Sequence, residues 1–170
     1  MKGWKKVVSI LVLLGFVLTP SIFAENELTT KITIDTENID FSVVKINGEE
    51  YTKIELPEVG FTTEVGKPML PVIRYMVEVP PDVLPEIKIL SISWSDIKLQ
   101  EIGLPRKILP VQPSVPKNEP REIREVVIDE KAYSVDEYIC DEITRIIPGG
   151  AIRGHNFVTL EVYPVQYNPL

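Results

Sequence analysis

Apolar and polar residues alternate with a period of two along most of this chain, the spacing of half-buried strands rather than of helices. Lys31 to Asp35 alternates, and Phe41 to Ile46 follows. Asn47-Gly48 then leads into a further run from Tyr51 to Leu56. Asn-Gly is the favoured pair for a type I′ turn, whose two central residues both need positive φ, so these runs predict a β-hairpin. Between Leu56 and Pro71, Pro57, Gly60, Gly66, Pro68 and Pro71 forbid a helix and predict turns around one short extended piece. Val72 to Val79 alternates again, with Arg74 and Glu78 expected on the outer face, and Pro80-Pro81 ends it.

Glu86 to Trp94 and Asp96 to Ile102 predict two more strands. Prolines at 105, 110, 113, 116 and 120 mark an extended connection, and the three-residue spacing of Pro110, Pro113 and Pro116 is that of polyproline II. Such a segment serves either as a crossover between sheets or as a clamp laid on a partner, since it has little entropy left to lose on docking. Beyond it, Glu122 to Ile128, Glu137 to Ile147 and Phe157 to Val165 are rich in Val, Ile, Tyr and Thr. A short helix over residues 134–145, with Ser134 as N-cap and Glu137 three residues on, is the alternative for the second of these. No repeat of 20 to 50 residues is visible, and roughly ten strand-length runs separated by turn signals predict an all-β protein, a β-sandwich.

The first residues change this picture only at the N-terminus. Lys2, Lys5 and Lys6 precede an apolar run from Val7 to Leu18, then Pro20 and Ala24 before the polar Glu25-Asn26. This is the three-part form of a secretory signal peptide over residues 1–24, its apolar run too short to favour a permanent span, with an uncleaved anchor as the alternative. Residues 25–170 then form the exported domain, with no stable membrane anchor after cleavage. The leader takes three lysines and no acid from a total of 18 basic and 25 acidic residues, leaving a net charge of about −10. Such a charge disfavours nucleic acid and favours a basic partner.

Chemistry is sparse. Cys140 is the only cysteine and His155 the only histidine, which leaves no disulfide framework and no zinc set. The pair is also the only candidate for a nucleophilic dyad, but Cys140 lies in the apolar run Tyr138-Ile139-Cys140 and no neighbour supplies an orienting carboxylate or oxyanion donors. The serines and threonines sit in no nucleophile motif, and there is no phosphate loop. No catalytic, metal or cofactor-binding residue is therefore assigned. Arg153, between Gly149-Gly150 and Gly154, is expected at a strand edge, either paired to a carboxylate beside a bulge or docking a partner. Trp94, Tyr163 and Tyr167 are expected as core and sheet-end aromatics rather than a sugar platform.

Two motifs remain: Gly66-Lys67-Pro68-Met69-Leu70-Pro71-Val72 with Val79-Pro80, and Arg153-Gly154 followed by Leu160, Val162 and Pro164-Val165-Gln166-Tyr167-Asn168-Pro169. Together they resemble the N-terminal propeptide of the gingipain-type (C25) cysteine peptidases, over roughly residues 50–169. The resemblance implies a β-sandwich prodomain, itself no enzyme, that is secreted attached to a cysteine endopeptidase, assists its folding and keeps it latent until proteolytic removal. It implies the cognate peptidase catalytic domain as partner, in cis and downstream. It further implies that a basic prodomain side chain enters the specificity pocket of an arginine-cutting enzyme. The candidates for docking or inhibition are Arg121, Arg124 and Lys131, beyond the proline-rich connection, together with Arg153. A free-standing secreted binding or adhesion sandwich is the alternative.

Overall fold

In the computed structural model, residues 10–16, 30–81, 83, 85–114, 125–140 and 142–170 are described. They form nine strands: β1 (Ile10–Phe16), β2 (Thr30–Ile34), β3 (Asp40–Ile46), β4 (Glu49–Glu55), β5 (Gly60–Phe61), β6 (Pro71–Val79), β7 (Pro85–Ser91), β8 (Thr144–Ile152) and β9 (His155–Val162). The only helical element among the described residues is a 3-10 turn, Leu99–Ile102. The all-β expectation holds. The chain divides into two compact units, one of residues 1–37, 73–96 and 142–164, the other of residues 38–72, 97–141 and 165–170.

The first unit contains two antiparallel sheets. One has the order β2-β1-β7, and in the other β9 lies between β6 and β8. Their side chains meet in one core: Ile32 and Ile34 of β2 and Ile87 of β7 pack with Ile73, Tyr75 and Val77 of β6, Leu160 and Val162 of β9, and Ile146 of β8. Two sheets sharing one apolar layer make a small sandwich, with Trp94 packed against it as expected of a core aromatic. On β6 the alternation is as read from the sequence, with Arg74, Met76 and Glu78 exposed and Ile73, Tyr75 and Val77 half-buried.

Glu161 of β9 lies on the face opposite Leu160 and Val162, yet it is buried. Its register partners are Arg74 on β6 and Arg145 on β8. Arg74 Nε donates to one carboxylate oxygen at 2.7 Å, and Arg145 Nε and the Tyr163 hydroxyl donate to the other at 2.8 and 2.7 Å. Burial pushes the Glu161 carboxyl up, but the donors from Tyr163, Arg74 and Arg145 together outweigh it, and the group ends below the usual carboxylate range. Arg145 also covers the Tyr163 ring, 5.6 Å from its centroid.

The second unit is built on the β3-β4 hairpin, paired from Asp40↔Glu55 to Ile46↔Glu49. Its turn is Asn47-Gly48 with φ of 51° and 89°, the two positive angles that the dipeptide predicts. The short extended piece foreseen between Leu56 and Pro71 is β5, two residues paired with the start of β6. The core collects Ile54, Leu70, Ile108, Tyr133 and Tyr167.

Three expected strands differ. Asp96–Ile102 is irregular and ends in the 3-10 turn, closed where the Gly103 and Leu104 N–H groups bond the carbonyls of Gln100 and Leu99. It pairs with no named strand, and Leu99 packs against the second core. Residues 125–129 form no named strand, while 122–124 lie outside the described residues. The run Glu137–Ile147 is split: Ile139 makes a single bridge to Tyr167, Cys140 turns the chain with φ of 62°, and β8 starts only at Thr144. Cys140 thus sits at a turn and not within a strand. The alternative helix over 134–145 is absent among the described residues there.

Candidate functional site

Within the second unit, the proline-rich connection is held on both sides. Thr52 N–H donates to the Lys107 carbonyl and Leu109 N–H to the Thr52 carbonyl, both at 2.8 Å. On the other side Met69 N–H donates to Leu109 O at 2.9 Å, and Val111 N–H to Lys67 O at 2.8 Å. The bridge between these segments pairs Pro68 with Pro110. Two residues without N–H groups can face each other there because the flanking residues supply every donor. Residues 107–111 are therefore an integrated strip of the unit, while Pro116, the last of the three prolines with polyproline II spacing, lies outside the described residues.

The chain returns after residue 124 to the same place. Asp129 N–H donates to the Gly66 carbonyl at 3.0 Å, while Gly66 N–H donates to Val111 O at 2.8 Å. One residue of the first motif thereby holds both feet of segment 113–126. Gly66 has φ of +85°, and a Cβ there would stand 2.9 Å from the Asp129 nitrogen, so the position demands both an unusual backbone angle and the absence of a side chain. The Asp129 carboxylate accepts the Lys131 and Ala132 N–H groups at 3.1 and 3.4 Å and shapes the turn that follows.

The second motif closes the same frame. Tyr167 OH donates to Arg106 O at 2.9 Å, and Tyr133 OH to Ile108 O at 2.7 Å, with the two rings in an edge contact at 6.5 Å. Burial raises the pKa of both phenols, so they remain protonated donors. Gln166 Nε2 donates to Cys140 O at 3.0 Å, and Asn168 Nδ2 to an Asp136 carboxylate oxygen at 2.8 Å. The Gly66 to Pro71 stretch of the first motif and the Gln166 to Asn168 stretch of the second thus meet through one hydrogen-bonded frame.

Of the candidate residues, Lys131 is exposed in the turn after Asp129, beside the second foot. Arg153 is exposed in the first unit, in the two-residue turn between β8 and β9, with φ of 52°. A bulge does occur nearby, where the β8 register shifts between Pro148 and Ala151. Arg121 and Arg124 lie outside the described residues. His155 pairs with Glu78 at 2.6 Å on an exposed hairpin end. Tyr163 and Tyr167 are buried, as expected of structural aromatics. No group of three or more His, Cys, Asp or Glu that could hold a metal ion occurs among the described residues. The frame can present a segment of chain; it assembles no reacting groups.

Sequence reasoning missed Asp129, whose role depends on backbone groups brought from distant positions. Gly66 was in view only as part of a motif.

The comparisons with known proteins agree with the motif resemblance. The family model Propeptide_C25 matches residues 17–170. Lys-gingipain of Porphyromonas gingivalis is 28% identical over 130 residues, covering 76% of this chain and 8% of the relative. Lys-gingipain HG66 of the same species is 27% identical over the same span. The chain therefore spans less than a tenth of the length of these curated relatives. Among solved structures, one describing the zymogenic latency of gingipain K from P. gingivalis has a TM-score of 0.68 at 26% identity, over 77% of this chain and 71% of that one. A complex of the P. gingivalis RgpB pro- and mature domains shares the fold, with a TM-score of 0.67 at 18% identity over 92% and 75% of the two chains. With the family match running almost from end to end, the chain belongs to the C25 propeptide family and is a prodomain, not a catalytic domain.

Proposed function

We propose that this domain keeps a secreted C25-type cysteine endopeptidase latent and assists its folding, until proteolysis removes it. The observation that carries this reading is the match over residues 17–170 combined with the likeness to a gingipain K structure concerned with zymogenic latency. The physics is steric and electrostatic. A frame that pins both feet of one segment can hold that segment in an active-site cleft at low entropic cost. A net charge of about −10 after leader removal steers the domain toward a more basic partner.

In this reading, a basic side chain donates paired, charge-assisted hydrogen bonds to a pocket carboxylate. Arg121 and Arg124 lie between the two pinned feet and Lys131 lies just beyond the second, so they are placed ahead of Arg153 as the side chain that enters. The test is inhibition of the cognate catalytic domain by the added domain. Sub-micromolar inhibition that weakens several-fold between low and physiological salt is expected. Among single alanine substitutions of Arg121, Arg124, Lys131 and Arg153, one should raise Ki by about a hundredfold, as for a single dominant anchor. No inhibition at large excess of the domain would sink the reading, and four equal Ki values would sink the single-anchor form of it.

Export through the leader is part of the same proposal, with cleavage after Ala24. The mass of the exported protein should then place its N-terminus at Glu25. Residues Ile10–Phe16, which form β1 between β2 and β7, would be lost with the leader. An exported form that retains them would refute this cleavage site.

A further inference from the structure

Among the described residues, β2 and β7 of the first unit belong to a sheet only through β1. β1 pairs antiparallel with β2 from Ile10↔Ile34 to Leu14↔Thr30, and antiparallel with β7 from Leu11↔Ser91 to Phe16↔Pro85. β2 and β7 therefore run parallel to each other with the width of one strand between them, a spacing of about 9.5 Å. They cannot pair directly at that distance, since the two strands of a ladder lie only about 4.8 Å apart. Both are also held in place by the opposite sheet, because Ile32 and Ile34 of β2 and Ile87 of β7 pack on the core that contains Leu160 and Val162. Once β1 leaves, the inner edges of β2 and β7 keep peptide groups without ladder partners, and neither strand has another neighbour in its sheet.

We propose that loss of the leader opens a strand-accepting site between β2 and β7, whose ligand is an extended apolar segment running antiparallel to both neighbours. This inference rests on the leader reading above, in which residues 1–24 are removed. The occupant is the leader run itself, Ile10–Phe16, because it is seated there with a defined register against both strands. In the full chain it fills the slot in cis, and after the cut the same sequence binds in trans. The run Ile-Leu-Val-Leu-Leu-Gly-Phe suits a central position, since it has no proline to interrupt a ladder and carries no charge. Main-chain hydrogen bonds supply the affinity, and an entering strand gains a ladder on each side where an ordinary sheet edge offers one. Its return also restores β2 and β7 to a sheet of three strands, which a lone strand cannot replace.

The mass of the exported protein is read first, because a form that still contains residues 10–16 brings down the leader reading and the opening of the slot with it. On a form that begins at Glu25, the probe is a synthetic peptide of residues 10–16 with lysines added at both ends for solubility. It should bind saturably at micromolar concentration and slow amide exchange about tenfold or more within β2 and β7. The thermal midpoint should rise by about 5–10 °C at roughly a hundredfold excess over Kd. The control is the same peptide N-methylated at Leu11, Leu13 and Gly15. Alternate residues of a strand donate to opposite neighbours, so this peptide keeps its apolar composition and loses the donors of one ladder. It should bind about tenfold more weakly or worse; equal binding would show adsorption to apolar surface and overturn the proposal. Absence of peptide binding to the form beginning at Glu25 would overturn it as well, whether the β2 and β7 amides then exchange freely or are protected in a dimer detected by sedimentation.

Discussion

Gly66→Ala should destabilise the domain by about 3 kcal/mol and lower its thermal midpoint by roughly 6–12 °C. Two costs add. An L residue at φ of +85° loses about 1 kcal/mol relative to glycine. The new methyl group would also press on backbone, 2.9 Å from the Asp129 nitrogen and 3.4 Å from the Ile128 carbonyl carbon, where no flexible side chain can give way. The strain falls on the residue that bonds Val111 by its N–H and Asp129 by its carbonyl, so both feet of segment 113–126 are disturbed together. Gly48→Ala is the control, because φ is +89° there and a Cβ would meet nothing within 4 Å. Urea titrations of the two variants separate the terms: Gly48→Ala should cost only the conformational part. Equal losses at the two sites would mean that close packing against Asp129 contributes nothing.

Replacing Glu161 by glutamine should cost about 2–3 kcal/mol at pH 7 and should also flatten the acid limb of the stability profile. Arg74, Arg145 and Tyr163 all direct donors at this buried carboxylate, and a neutral amide serves them poorly. The folded-state pKa of Glu161 lies below its ordinary value of 4.5. A group depressed on folding adds stability that is fully present above its unfolded pKa and is lost as pH falls through the folded one. The wild-type domain should therefore hold its stability from neutrality to about pH 5 and lose it progressively below about pH 4.5. The Glu161→Gln variant, having no proton to gain at this position, should show a smaller loss over the same interval. Denaturation curves at about pH 7 and about pH 4 for both proteins decide this, and an identical change with pH in the two would show that Glu161 is not the group responsible.

Positions governed by their nearest neighbours were readable without the structure. The Asn47-Gly48 turn requires two positive φ angles, which that dipeptide tolerates, and the hairpin follows. The alternation along β6 separates Arg74, Met76 and Glu78 from Ile73, Tyr75 and Val77 because period two is a property of any extended chain. Asp96–Ile102 alternates equally well but pairs with no named strand, and alternation alone does not make a strand. Glu161 illustrates the converse. Its place among exposed-face residues of β9 suggests a solvated carboxylate, but two arginines from flanking strands and the Tyr163 hydroxyl cover it.

Residue type and local spacing were enough to establish the all-β class, the hairpin and the two motifs that mark a C25 propeptide. Other features needed the folded chain: that Gly66 joins residues 111 and 129, and that Tyr133 and Tyr167 lock the strip from Arg106 to Ile108. Those bonds run to backbone N–H and C=O groups, which nearly every residue carries alike. Residue identity therefore leaves no trace of them until the fold brings distant parts of the chain together.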